Sequence, residues 1–204
     1  MRVNDQVKAE TRRALLDAAA RAFARHGYHR TNIDRVSQAA GLAKGTVYNY
    51  FPSKQAIFNA VLLEACTLAA EAADAVPESG PTRDRLEAFV AGTLTWAREH
   101  LALALLLARE RIGGDQETVQ LILEGSVSCV EKVAEILQAG CERGELQLDA
   151  PPTEAALTFL LLTNALLLQA SQSTAGSRSI HDLPATVAGL FLYGATGQAG
   201  DPTR

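Results

Sequence analysis

The chain has 204 residues, enough to bury a substantial core in one or two domains. Its 19 Lys and Arg stand against 23 Asp and Glu, for a net charge of −4, which argues against a protein that binds nucleic acid by overall charge alone. Three isolated cysteines, Cys66, Cys129 and Cys141, form no C-x-x-C pair, so packing is their expected role and no disulfide framework, metal or cofactor is expected.

The N-terminus, MRVNDQVKAE, is polar from its first residue and carries no secretory signal, so the expected location is the cytoplasm. A first helix is predicted from about Lys8 to His26, with Leu15, Leu16, Ala19, Ala22 and Phe23 as its apolar stripe and Gly27 as its stop. Next comes the most informative stretch, residues 31–54, TNIDRVSQAAGLAKGTVYNYFPSK. Its spacing predicts two short helices crossing at a tight turn, with a third helix starting just beyond, which is a helix-turn-helix. Thr31 is placed to cap the first of them, and Val36, Ala40, Leu42, Val47 and Tyr50 fall where the helices must touch. Ser37 is small where two backbones approach, and Gly41 follows the last helical residue, where a left-handed backbone is wanted.

The second of these helices, predicted over about Lys44 to Tyr50, has no acid and carries Lys44, Thr46, Tyr48 and Asn49. Lys44 suits a phosphate, Asn49 suits a bidentate pair with adenine, and Gly45 suits close approach of a backbone to DNA. Each residue also has a plain structural role, as a packed ring or a solvated polar group; it is the constellation that points to DNA. Charge agrees, because residues 1–54 carry ten Lys and Arg against four acids, +6 in all, leaving −10 for the rest of the chain.

Residues 15–61 resemble the N-terminal domain of TetR/AcrR-family transcriptional regulators. The landmarks run in order: Ala19, Phe23, Gly27-Tyr28, Thr31, Val36, Ala40-Gly41, Lys44-Gly45-Thr46, Tyr48, Tyr50-Phe51 and Ser53-Lys54. Ser37 stands where that family most often has alanine, and Ala43 where it often has serine or threonine; Ala43 removes a side-chain cap, a loss of about 1 kcal/mol. The resemblance implies a homodimer joined through the last two long helices and an effector cavity in the C-terminal part. DNA contacts are expected from Thr31, Arg35, Lys44, Gly45, Thr46, Tyr48, Asn49 and Lys54.

Beyond Phe51-Pro52-Ser53, a helix from about Lys54 to Ala75 carries Ile57, Phe58, Val61, Leu62, Ala65 and Leu68 at helical spacing and bridges the DNA reader to the body. The loop Val76-Pro77-Glu78-Ser79-Gly80-Pro81 follows, and Thr82 opens a helix holding Leu86, Phe89, Val90, Thr93 and Trp96. LALALLLARERI after His100 is a short helix closed by Gly113-Gly114, and Asp115 is placed to cap one long helix reaching Arg143-Gly144. Pro151-Pro152 introduce TEAALTFLLLTNALLLQAS, apolar on almost every face yet interrupted by Thr158, Thr163, Asn164 and Gln169 and short of the ~20 residues a membrane span needs. A helix of that kind needs cover on all sides, from the core and from a second subunit or, alternatively, from a monomeric bundle alone. The last helix, about Pro184 to Tyr193, follows the linker SQSTAGSRSIHD.

The expected fold is all-α, about nine helices, with a three-helix DNA-binding domain over 1–54 and an effector-binding and dimerisation domain over 55–204. Dimer contacts are expected from Leu160, Leu167, Leu190 and Phe191, because one short recognition helix reads too few bases and a dyad-related pair reads two half-sites. Candidate effector contacts are Phe89, Thr93, Trp96, His100, Phe159 and Thr163, with Cys129 and Asn164 nearby in kind; each has an ordinary packing or backbone-bonding alternative. The expected function is a dimeric repressor released from a near-palindromic DNA operator by a small apolar effector, with no membrane partner. The alternative is an effector-independent or architectural DNA-binding protein. An enzyme is not expected, since no P-loop, G-x-G-x-x-G, H-E-x-x-H or nucleophile elbow is present.

Overall fold

A computed structural model describes residues 3–172 and 182–194; most of the linker expected over residues 171–182 lies outside the described residues. All regular elements among the described residues are helical: α1 (Val3–Arg30), α2 (Ile33–Ala39), a 3-10 helix (Thr46–Asn49), α3 (Lys54–Asp74), α4 (Thr82–Glu99), α5 (Leu101–Gly113), α6 (Gln116–Gly125), α7 (Val127–Glu142), α8 (Pro152–Gln172) and α9 (Leu183–Tyr193). They fall into two compact units, one from Met1–Thr67 with His100–Gly125, the other from Leu68–Glu99 with Ser126–Arg204. The chain therefore crosses between units inside α3, between α4 and α5, and between α6 and α7.

In the first unit, Leu15, Leu16, Ala19 and Phe23 of α1 are buried, as their spacing requires. Phe23 stands edge-on to Phe58 at 5.0 Å, and Tyr28 lies 4.9 Å from the same ring. Full burial of one such side chain stabilises the fold by roughly 1.5–3 kcal/mol. The break in α1 is at Gly27, whose φ of 74° is a conformation that residues with a Cβ avoid. The carbonyls left open there find partners across the unit. The Arg109 guanidinium on α5 donates to Phe23 O at 3.1 Å and Ala24 O at 3.3 Å, and the Thr31 hydroxyl donates to Gly27 O at 2.7 Å and Ala22 O at 3.2 Å.

α3 is the one helix among the described residues long and apolar enough to cross a membrane by length and composition. Its Ile57, Phe58, Val61, Leu62 and Ala65 are instead buried within the first unit. Glu64, on the same helix, has its carboxyl pKa held above the ordinary range, first by burial and then by the charge of Asp17.

The expected single helix from Asp115 to Arg143 is two helices. Asp115 does cap the first, its carboxylate accepting from Thr118 N at 2.8 Å, a bond that also lowers its pKa. The run breaks at Ser126 (φ −106°, ψ 9°), just beyond Gly125. A Cβ on Gly125 would meet Cys66 and the Leu63 side chain at 3.2 Å, so glycine there permits close approach to α3.

The second unit is built on α4, α7, α8 and α9. Phe159 of α8 lies 6.0 Å from Phe89 of α4 and 5.1 Å from Phe191 of α9, both edge-on. α8 buries Ala155, Ala156, Phe159, Leu160, Thr163 and Leu167 but leaves Leu161 47% exposed, so part of this apolar helix is uncovered among the described residues. At the other end of the unit, Glu145 accepts from the Thr82 backbone N–H at 2.6 Å and from Arg143 Nε at 2.5 Å, closing the α7–α8 connection onto the start of α4.

Candidate nucleic-acid interface

The helix-turn-helix is assembled by short-range bonds from small residues. Asn32, not Thr31, caps α2: its side-chain oxygen accepts from Arg35 N at 3.2 Å, while Thr31 is buried with its hydroxyl turned to the carbonyls of α1. Ala40 ends α2, and Gly41 follows with φ 75°, the left-handed conformation expected of it. The recognition segment is shorter than predicted, a 3-10 helix over Thr46–Asn49 in place of an α-helix from about Lys44 to Tyr50. Gly45 explains the difference. Its φ of 78° and ψ of −11° keep the preceding residues out of the helix, and a Cβ there would meet no atom within 4 Å, so local backbone conformation is reason enough for glycine.

Ser37 ties this segment to α2. It is fully buried, and its hydroxyl oxygen accepts from Val47 N at 3.3 Å, so it serves a backbone donor that no side-chain cap serves from Gly45. Val47 is buried beneath, which turns Tyr48 and Asn49 outward, both exposed. In a 3-10 helix residues three apart eclipse, so Thr46 and Asn49 share a face. That face opens on a cleft of about 480 Å³ lined by Thr46, Asn49 and Tyr50 on one side and Lys8, Ala9 and Arg12 of α1 on the other. No acid lines it.

Lys8 and Arg12 were not singled out from the sequence. In the sequence they are visible only as part of the N-terminal charge, because helical periodicity identifies the buried side of α1 but not which exposed side chains meet the recognition segment. The guanidinium of Arg12 is held 5.2 Å from the centre of the Phe51 ring, which fixes it at this cleft. Lys44 is exposed nearby in sequence. Lys54 is committed differently from expectation: its ammonium donates to His29 O at 3.0 Å and lies 4.8 Å from the Tyr28 ring centre. Arg35 lines a second cleft, between α1 and α2.

The candidate effector residues divide. Phe89, Thr93 and Trp96 on α4 and Phe159 and Thr163 on α8 all lie in the second unit, whereas His100 lies in the first, where its charge acts on Glu64. Thr93, Thr163 and Asn164 donate to the carbonyls of Phe89, Phe159 and Leu160 one turn back, at 3.0, 2.8 and 2.7 Å. Trp96 differs, being 6% exposed with a buried Nε1–H that has no hydrogen-bond partner. Cys129 is buried. Of the expected dimer contacts, Leu160 and Leu167 are buried within the protomer and Phe191 is half-buried against Phe159, leaving Leu190 exposed at 43%.

A left-handed glycine turn between two short helices, a recognition segment with an outward polar face and two cations facing it from α1 define a helix-turn-helix protein. Residues 15–61 match the family of bacterial regulatory proteins, tetR family. The likeness to that family is carried by this N-terminal segment. The chain is 34% identical over 87 residues to the HTH-type transcriptional repressor Rv1474c of Mycobacterium tuberculosis, a match covering 43% of this chain and 46% of that one, under half its length. Among solved structures, AibR in complex with isovaleryl coenzyme A and operator DNA superposes with a TM-score of 0.73 at 20% identity, covering 90% of this chain and 98% of that one. FadR of Bacillus subtilis in complex with stearoyl-CoA gives 0.70 at 20% identity, covering 89% and 98%. At that identity the likeness is one of fold.

Proposed function

We propose that the protein is a cytoplasmic, sequence-specific transcriptional repressor, a homodimer that occupies a near-palindromic operator and leaves it when a small, mostly apolar effector binds the second unit. One observation carries the DNA-binding part: Thr46 and Asn49 share a face that converges with Lys8 and Arg12 on a cleft without acids. Polar groups of the recognition segment then read base edges, while Lys8, Arg12 and Lys44 hold phosphates on either side. Two such segments related by a dyad supply the specificity that one lacks. Selection of bound duplexes from a random pool tests this. Enrichment of an inverted repeat with half-sites about one helical turn apart is expected, and a pool that stays random after repeated rounds would reject the reading.

The effector part is supported by the buried Trp96 Nε1–H, which has no hydrogen-bond partner and suits an apolar molecule that offers one acceptor. The acyl-coenzyme A complexes of AibR and of Bacillus subtilis FadR make acyl thioesters the first class to try. Movement reaches the reader through α3, the helix common to both units, and linkage requires DNA to weaken effector binding by the same factor as effector weakens DNA. Trp96, the only tryptophan, reports occupancy by its fluorescence. The effector-independent reading draws on the satisfied hydroxyls of Thr93 and Thr163. A panel of acyl-CoAs and hydrophobic drugs that neither quenches Trp96 nor releases operator would favour it.

A further inference from the structure

A second cleft, of about 380 Å³, runs between α1 and α2. Arg21, Arg25, His26, Arg30, Asn32 and Arg35 supply its polar lining, and the remaining lining residues are Ala and Val. Four guanidinium groups thus converge with no carboxylate among the lining residues. Other exposed arginines have partners outside this cleft: Arg83 pairs with Glu87 at 2.8 Å, Arg143 with Glu145 at 2.5 Å, and Arg12 lies over Phe51. Arg25 and His26 have a local reason to be basic, since they end the helical run before Gly27 and favour its negative pole. Arg21 follows Asp17 by one turn on α1, whereas Arg35 has no acid one turn away on α2. Arg21 and Arg25 are one turn apart on α1, where like charges repel unless an anion lies between them.

We propose that this cleft is a phosphate-binding site, in which the arginines clasp phosphate oxygens in bidentate pairs and Asn32 adds a neutral donor. The ligand chemistry is a phosphoryl group, supplied by the backbone of duplex DNA or by a free phosphorylated compound. The site is separate from the cleft that holds Asn49, so it contributes affinity and leaves base discrimination alone. The DNA source rests on the proposed DNA-binding function; the free-phosphate source does not.

The test compares the full-length wild type with R21Q/R25Q and R21K/R25K, none of which alters the recognition segment. Binding to a random-sequence duplex is followed between 50 and 200 mM salt, and inorganic pyrophosphate is titrated calorimetrically without DNA. With DNA as the source, the slope of log affinity against log salt becomes shallower by about two in R21Q/R25Q and recovers in R21K/R25K. With a free phosphorylated compound as the source, the slope is unchanged but pyrophosphate binds the wild type and not R21Q/R25Q. Unchanged slopes together with no pyrophosphate binding to the wild type overturn the proposal. Should the double variant not fold, R25Q alone decides, with a slope change of about one. Because the duplex is random in sequence, failure of operator selection leaves these outcomes readable.

Discussion

Asn49 and Lys44 are separated by a single turn of chain yet suit opposite tasks. Asn49 presents a paired donor and acceptor from the outward face of the recognition segment, whereas Lys44 offers a point charge ahead of it. Asn49→Ala is expected to cost about 1–3 kcal/mol at particular operator positions, while Lys44→Ala weakens binding to all sequences and reduces the salt slope by about one. Titration over operator variants at several salt concentrations checks both, and uniform loss from Asn49→Ala would move that residue to the phosphates. Lys54→Ala is not the simple phosphate probe its sequence position suggests, because its ammonium holds His29 O and the face of Tyr28. Ser37→Ala should destabilise the fold by about 1–3 kcal/mol, since it leaves the Val47 N–H buried without its acceptor. Urea unfolding measures that cost; equal midpoints for the two proteins would show that the bond contributes nothing. Alanine is what the family most often places there, so the sequence marks Ser37 as a departure without saying what it does. Only the three-dimensional placement of Val47 N, ten residues on, supplies the reason.

At the scale of elements, the join between the α7–α8 connection and α4 is electrostatic and therefore depends on pH. The Arg143 guanidinium, then the Thr82 hydroxyl and backbone N–H, hold the Glu145 carboxyl at about 2, below its ordinary 4.5. A carboxyl depressed on folding stabilises above its unfolded pKa and loses that contribution as pH falls toward the folded one. Glu145→Gln should therefore lower the melting temperature at pH 6, with the gap to wild type narrowing between pH 4.5 and 2; a gap constant with pH would contradict the assigned bond. Elements with strong punctuation were legible in advance. Gly27, Asp115 and the Pro77–Pro81 loop mark boundaries that the structure keeps, because a left-handed glycine, a capping carboxylate and prolines act within a few residues. The break at Ser126 is not legible in the sequence, since its neighbours Val127 and Ile122 continue a helical period and Gly125 packs on Cys66, 59 residues earlier in the chain. The short recognition segment is hidden in the sequence for a related reason: Gly45 fits close approach to DNA equally well, and only its left-handed backbone shows that it forbids an earlier helix start.

For the whole molecule, assembly is the property the proposed function most needs. Leu160 and Leu167 are already inside the protomer, so a charge at Leu167 would unfold the second unit and say nothing about a dimer. Leu161 and Leu190, 47% and 43% exposed on α8 and α9, are the proper probes. Leu190→Arg is expected to give a folded monomer by sedimentation, with helical content retained and operator affinity reduced by orders of magnitude; a variant that still sediments as a dimer would place the interface elsewhere. A different consequence follows from the three crossings between units. The segments His100–Gly125 belong to the same unit as the DNA-reading helices, and Arg109 closes the carbonyl end of α1 from there. If the proposed function holds, exchange of the DNA-reading and effector parts between related chains is an obvious experiment, and a single splice in α3 is the tempting place. Such a hybrid would inherit α5 and α6 from the foreign parent and lose the Arg109 that closes the carbonyls of Phe23 and Ala24 at the end of α1. Recombination that preserves function must instead exchange residues 100–125 together with the N-terminal part, which makes the reader and helices α5 and α6 one exchangeable block.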